Sequence, residues 1–242
     1  MKTRGIFFLC HQGLGDHILC NGIYRDYARE FKRCVIPVTD KYYITVSRML
    51  SDVKNIQIVK FRNPFWSFKM EAHANLLDSC GYDTLRLGVF GVDFFKDSSK
   101  RLDDNYYSQA GLLINKRWDS FKLVRNNEAE DTLFRLLVGD RKEYIFLHED
   151  EKRNYLIDHD LLPKNTIIVK PIEGLNKKFS FFDYLKIIEN AKEIHCIESS
   201  FAALIESLEY SIPKYAHRYA RPEAKNDFRH EFTYRSNWHV YK

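Results

Sequence analysis

Phe7-Phe8-Leu9-Cys10-His11-Gln12-Gly13-Leu14-Gly15-Asp16-His17 is an apolar run that ends in a Gly-x-Gly turn and passes at once into an amphipathic segment. The pattern predicts a β-strand over residues 5–10 feeding a helix through a turn tight enough to need glycine. Gly13 and Gly15 lack a Cβ, so backbone N–H groups there can approach a ligand closely. In an open α/β sheet, ligands bind at the carboxyl ends of the strands. Asp16, with His11 and His17 flanking it, therefore stands at the rim of a binding position, and each is a group able to move a proton.

Outward from this turn, the following helix places Cys20, Ile23, Tyr24, Tyr27 and Phe31 on one face at near-helical spacing. Residues 34–38 read as a second strand, 42–50 as a helix and 56–61 as a third strand. Residues 70–80 predict a helix stopped by Gly81, and 85–90 a strand. Residues 93–105 read as a polar loop, and a helical stretch with core aromatics opens at 106–111. A clean helix over 128–138 carries Leu133, Leu136 and Leu137 on its apolar side, and Gly139 breaks it. Strands at 144–147, 166–169, 193–197 and 215–216 then alternate with helices at 181–190 and 201–208. Such alternation is the signature of parallel sheets with helical crossovers. The expected fold is α/β, with two Rossmann-like domains facing across a cleft at residues 1–139 and 140–242. The aromatic, basic tail from residue 221 is expected as a helix packing back on the first domain.

The totals narrow the class. A chain of 242 residues, 45% hydrophobic with 18 Phe and 15 Tyr, has material for two cored domains of ordinary size. The net charge of +5 comes from 38 basic and 33 acidic residues spread along the chain. Nucleic-acid binders concentrate their charge on a face or tail, so nucleic acid is not an expected partner. The even spread suits a protein that handles anionic phosphates. Five cysteines without CxxC spacing predict buried thiols in a reducing compartment rather than disulfides or zinc. No apolar run is long enough to span a bilayer, and Met1-Lys2-Thr3-Arg4 leads directly into the first strand. A cytoplasmic protein without a transmembrane segment is the expectation.

A second turn echoes the first. The strand at 193–197 meets Glu198-Ser199-Ser200, and Phe201, Leu204, Ile205 and Leu208 recur at i, i+3, i+4 and i+7. Ser199 or Ser200 suits the N-cap, and the first-turn N–H groups with the positive end of the dipole would bind phosphate. His148 ends the strand at 144–147, and Lys170 ends the strand at 166–169. Arg153 follows the acidic run 149–151, which itself reads as a solvated loop. Arg153 and Lys170 are candidate diphosphate contacts. His217, Arg218 and Arg221 form a weaker basic cluster for a phosphate or an acceptor.

Several chemistries are absent. The first turn is not a dinucleotide fingerprint, since Ile18 stands where a third glycine belongs, and it is not a Walker A loop. No Gly-x-Ser-x-Gly, HExxH or paired CxxC occurs. Asp103-Asp104 is the nearest acidic pair for a metal, but it falls in the polar loop, so no metal site is expected.

With both turns in view, the chain resembles the GT-B glycosyltransferases, and most the heptosyltransferase-like group. Gly13-Leu14-Gly15-Asp16 matches the amino-terminal motif, and Cys196-Ile197-Glu198-Ser199-Ser200-Phe201-Ala202-Ala203-Leu204 with Pro213 matches the late strand–turn–helix segment. The resemblance implies that Asp16 is the base for an acceptor hydroxyl and that Ser199 and Ser200 bind donor phosphates, assisted by Lys170. It departs at Glu198, where the group carries Asp, and at Ala202-Ala203, where a His is common. It implies an inverting, metal-independent transfer from a nucleotide-diphosphate sugar, the co-substrate, to a glycan or glycoconjugate, with no other cofactor. Three alternatives stay open. The base could be His11 or His17; the protein could be another nucleotide-sugar enzyme, an epimerase or hydrolase; or it could be a non-catalytic binding module in which Asp16 caps a helix.

Overall fold

Strand β1 (Thr3–Leu9) runs through the middle of the first sheet. Ile6, Phe7, Phe8 and Leu9 are all buried, so the strand is a continuous apolar run, as a parallel strand covered on both faces requires. The computed structural model describes residues 3–61, 66–91, 99–172, 175, 178–222 and 230–242. It divides into two units, Met1–Val124 and Arg125–Lys242.

In the first unit, β1 is followed by α1 (Leu14–Leu19), α2 (Asn21–Glu30), β2 (Phe31–Thr39), α3 (Tyr43–Met49) and β3 (Ile56–Phe61). Next come α4 (Trp66–Ser79), β4 (Tyr82–Arg86), α5 (Leu102–Gln109) and α6 (Lys116–Asp119). All strand pairs are parallel, in the order β3-β2-β1-β4. Phe7, Leu9, Val35, Phe61 and Ala74 form one core cluster on the α4 side. The chain grows to one side of β1 through β2 and β3, then returns to lay β4 on the other. That reversal is a topological switch point, and the crevice beyond the carboxyl ends of β1 and β4 is where such sheets take ligands.

The strand expected at 85–90 is β4, three residues earlier, followed by a tight turn at Gly88–Phe90 with Gly88 at φ +66°. Of the loop expected at 93–105, residues 93–98 lie outside the described residues, and α5 begins at Leu102. Leu102 and Tyr106 put a buried stripe on α5, and Asp103 is fully buried against Arg117. A charge neutralised in the interior looks, in sequence, like a charge on a loop.

In the second unit, α7 (Asn127–Leu137) precedes β5 (Ile145–His148), β6 (Ile168–Val169) and α8 (Leu185–Glu189). The unit ends with β7 (Glu193–Cys196), α9 (Ser200–Leu208), β8 (Lys214–His217) and β9 (Trp238–Tyr241). The sheet is parallel in the order β6-β5-β7-β8-β9. Here the order reverses around β5, so its switch point lies between β5 and β7.

Two expectations change. Helix α7, placed by sequence within residues 1–139, belongs with the second unit. Arg125 pairs with Glu130 on α7 and Glu189 on α8, Leu133 is buried, and the Phe134 ring meets Tyr144 edge-on at 6.5 Å. The tail ends in a strand rather than a helix, with β9 parallel to β8 and Tyr241 opposite His217. Its latch is the buried carboxylate of Glu206 on α9, which accepts Arg235 N–H at 2.6 Å, Ser236 O–H at 2.6 Å and Trp238 Nε1–H at 2.7 Å. Cys10, Cys20, Cys34 and Cys196 are buried and Cys80 is exposed, and none of the five is in a disulfide. No helix among the described residues is long and apolar enough to cross a membrane.

Candidate active site

Gly13 is the N-cap of α1, with extended backbone at φ −74° and ψ 147°. Asp16 follows as the third residue of that helix, half-buried at the exit of β1. A methyl group on Gly13 would lie 2.4 Å from Asp16 Oδ2, so the carboxylate folds back over a turn that only glycine leaves open to it. Tyr106 O–H, from α5, donates to Asp16 Oδ1 at 2.7 Å. Asp16 is thus a carboxylate with one oxygen held by a phenol, at the switch point of the first sheet. Gly15, between Gly13 and Asp16, is also half-buried.

The two flanking histidines separate. His11 is half-buried, its ring 6.1 Å from that of Tyr106 and 6.2 Å from that of Phe90. It packs on Gly88, where a methyl group would come 2.7 Å from His11 Cδ2. Gln109 clasps Gly88 on both sides, accepting its N–H at 2.6 Å and donating to its carbonyl at 3.2 Å. His17 is fully buried with Nδ1 3.0 Å from Tyr24 Oη. Burial lowers its pKa to about 4, so it is neutral and turned into the core, not at the rim. Successive helical residues point about 100° apart, so Asp16 and His17 could not both face the same crevice.

At the second switch point, His148 at the end of β5 and Ser199 after β7 bond to each other, Nδ1 to Oγ, at 3.0 Å. Ser199 occupies the N-cap position of α9 in extended backbone, but its hydroxyl makes no cap bond. The side chain that would have satisfied a first-turn N–H is drawn to His148 instead. Burial lowers the His148 pKa to about 4, so the ring is neutral and joins Ser199 through one proton. Its ring also lies 4.7 Å from that of Phe201 in the first turn of α9. Ser200, the first residue of α9, is half-buried.

The remaining charged candidates are engaged elsewhere. Lys170 pairs with Glu149 at 2.5 Å and lies 3.7 Å from Glu151, so the acidic run read as a solvated loop holds the lysine expected to be available. Burial pushes the Glu149 carboxyl up, but Lys170 and the Ile157 N–H outweigh it and hold the group below its ordinary value. Arg153 bonds Asp150 at 2.7 Å and stacks on Tyr155. Glu198 is fully buried and accepts from Arg218 at 2.7 Å and Tyr234 at 2.9 Å, while its carbonyl accepts from Arg221 at 2.6 Å. Glu198, Arg218 and Arg221 therefore form one cluster that binds the tail to the β7–α9 turn.

His217 is not an exposed basic group. It is fully buried, 3.0 Å from His195 and 3.1 Å from Tyr219 Oη, and burial together with His195 pushes its pKa to about 3. A neutral interior ring cannot meet a phosphate as a cation.

Tyr106, Gln109 and Gly88 complete the first turn and were not singled out as site residues from sequence. The available signal was the i, i+3 spacing of Tyr106 and Gln109, which puts both on one helix face.

The sequence matches no family model and no curated protein. Solved structures do match. The glycosyl transferase family 9 protein from Veillonella parvula aligns with the whole chain and 87% of its own length at 10% identity, with a TM-score of 0.57. The ADP-heptose LPS heptosyltransferase II of E. coli aligns with 88% of this chain and 84% of its own, at 11% identity and a TM-score of 0.53. At such identities the likeness is one of fold: this chain has the parallel α/β architecture of those glycosyltransferase structures, as its two turns led one to expect.

Proposed function

We propose that the chain is a glycosyltransferase that moves a sugar from a nucleoside-diphosphate donor to a hydroxyl of a glycan or glycoconjugate, with inversion and without a metal ion. The acceptor lies on the first unit against the Gly13–Asp16 turn, and the donor on the second unit at the start of α9. Asp16 takes the hydroxyl proton as the acceptor oxygen attacks the anomeric carbon and the bond to the diphosphate breaks. The charge that develops on the leaving diphosphate is met by the first N–H groups of α9 and the positive end of its dipole. Ser199 and Ser200 border that position. Lys170 and Arg153 would have to exchange carboxylate partners to assist, so the backbone carries the larger share.

The observation that supports this most is the carboxylate of Asp16, half-buried at a switch point and held by Tyr106, within a fold shared with glycosyltransferase structures. One feature favours a second reading, a binding module: Asp16 sits in the first turn of α1, where any carboxylate is favourable.

Donor turnover separates the two. The purified protein is offered UDP-, GDP-, ADP- and dTDP-sugars without acceptor, and nucleotide release is followed. Release from one donor, lost in Asp16→Asn with donor binding retained, is the expected result. Release unchanged by Asp16→Asn moves the base to His11. No release from any donor, with binding intact, establishes the binding module.

A further inference from the structure

Within the reading of Asp16 as proton acceptor, we propose that Tyr106 is its positioning residue: the phenol fixes Oδ1 and leaves Oδ2 to take the proton. Tyr106 is 1% exposed and lies 90 residues from Asp16 in sequence, yet its hydroxyl donates to Oδ1 at 2.7 Å. Burial raises the phenol's pKa well above the ordinary value, so it remains a donor at any working pH. Its direction is set from both sides. One turn further along α5, Gln109 is bound to both backbone groups of Gly88, at the exit of β4. A methyl on Gly88 would meet the Tyr106 ring at 2.8 Å, so the ring has no room to swing that way. Helix α5 thereby ties the exit of β4 to the exit of β1 across the switch point. The other oxygen, Oδ2, makes no bond to Tyr106 and lies 2.4 Å from where a Gly13 Cβ would stand.

The consequence for the reaction is specific. A hydrogen bond donated to Oδ1 occupies that oxygen and fixes the orientation of the carboxylate, so Tyr106 keeps Asp16 aimed. Oδ2 accepts the acceptor hydroxyl's proton while that oxygen forms its bond to the anomeric carbon, and Tyr106 keeps its own proton throughout.

The test is Tyr106→Phe, which retains the buried ring and removes only the hydroxyl. Two measurements are made. In donor turnover, kcat falls about tenfold with KM unchanged. In a denaturation cycle with Asp16→Ala, which removes the acceptor, the two substitutions are non-additive by about tenfold in the unfolding equilibrium, the worth of a hydrogen bond to a charged group. A merely structural role predicts a loss of stability with kcat unmoved, and that result overturns the proposal. Additive stabilities overturn it as well. Coupling without turnover of any donor by the unsubstituted protein refutes the transferase reading itself and reduces Tyr106 to a packing partner of Asp16.

Discussion

Gly13→Ala separates the reactive geometry from the fold. Alanine adopts the backbone at this position without strain, since φ is −74° and ψ is 147°. Removing a glycine stabilises by about 0.4–1 kcal/mol through the unfolded chain. Alanine is a poorer N-cap than glycine by an amount of the same order, roughly 1 kcal/mol. The two nearly cancel, so the change in melting temperature is set by the site bond considered next. The new methyl, however, stands 2.4 Å from Asp16 Oδ2, more than about 1 Å inside ordinary carbon–heavy-atom contact. The carboxylate must turn, and the Tyr106 bond to Oδ1 is lost with it. A hydrogen bond to a charged group contributes about 1.5–3 kcal/mol. At about 1.4 kcal/mol per factor of ten, that is a loss of roughly 10- to 150-fold in kcat. Donor turnover at saturating donor, with calorimetry on the same sample, measures both. Full activity in the variant refutes the placement of Oδ2, and a loss of stability well beyond the ~1.5–3 kcal/mol of that one bond refutes the claim that only the site is disturbed.

Three further outcomes are expected. Ser199→Ala removes the bond to His148 at 3.0 Å and costs about 0.5–1.5 kcal/mol of stability; titration calorimetry should show weaker donor binding, and unchanged affinity would remove Ser199 from the site. Glu206→Ala strips the tail of its latch. The second unit should lose on the order of 3 kcal/mol and show faster hydrogen exchange at 235–241, and a protected tail would contradict this. The third outcome concerns acid. The folded pKa values of His17 and His217 are lowered by burial to about 4 and about 3 from an ordinary 6.5. Below 6.5 the unfolded chain binds protons that the folded chain does not, so stability is full above that pH. It falls towards pH 4 by up to ~1.4 kcal/mol per unit for each ring. A melting temperature flat between pH 7 and 5 would show that these rings are not held neutral.

What could be read from the sequence was whatever rested on local pattern. The continuous run Ile6–Leu9 followed by glycine gave away a central parallel strand and its turn, because burial on both faces leaves no alternation to confuse it. What could not be read was held by distant partners. Asp103 looks like a loop residue until Arg117 neutralises it inside the unit. Lys170 looks available until Glu149, 21 residues away, engages it. The tail's composition suggested a helix because nothing local announces that Glu206, about 30 residues earlier, will bind it as it enters a strand. Tyr106 was placed in a helix and in the core, both rightly, but the one hydroxyl that matters reaches across 90 residues.

The two switch points share a construction. In the first unit a bond from Tyr106 to Asp16 ties the segment after β4 to the exit of β1. In the second, His148 and Ser199 tie the exit of β5 to the turn after β7. Each bond spans the place where the strand order reverses, so each fixes a polar group beside the crevice before any ligand arrives, which is what transition-state electrostatics require. Stability does not explain the second of these. A serine N-cap bond is worth about 1 kcal/mol, and a net hydrogen bond to a neutral histidine about the same, so Ser199 gains nothing by leaving its cap for His148. The exchange leaves the start of α9 without a side-chain cap bond from Ser199. Under the proposed function, this uncapped helix start is the position assigned to the donor phosphates. The Ser199→Ala titration decides this, because an alanine there also leaves the helix uncapped and removes only the tie to β5. Weakened donor binding would then show that the tie, and not merely the open helix end, holds the phosphate position.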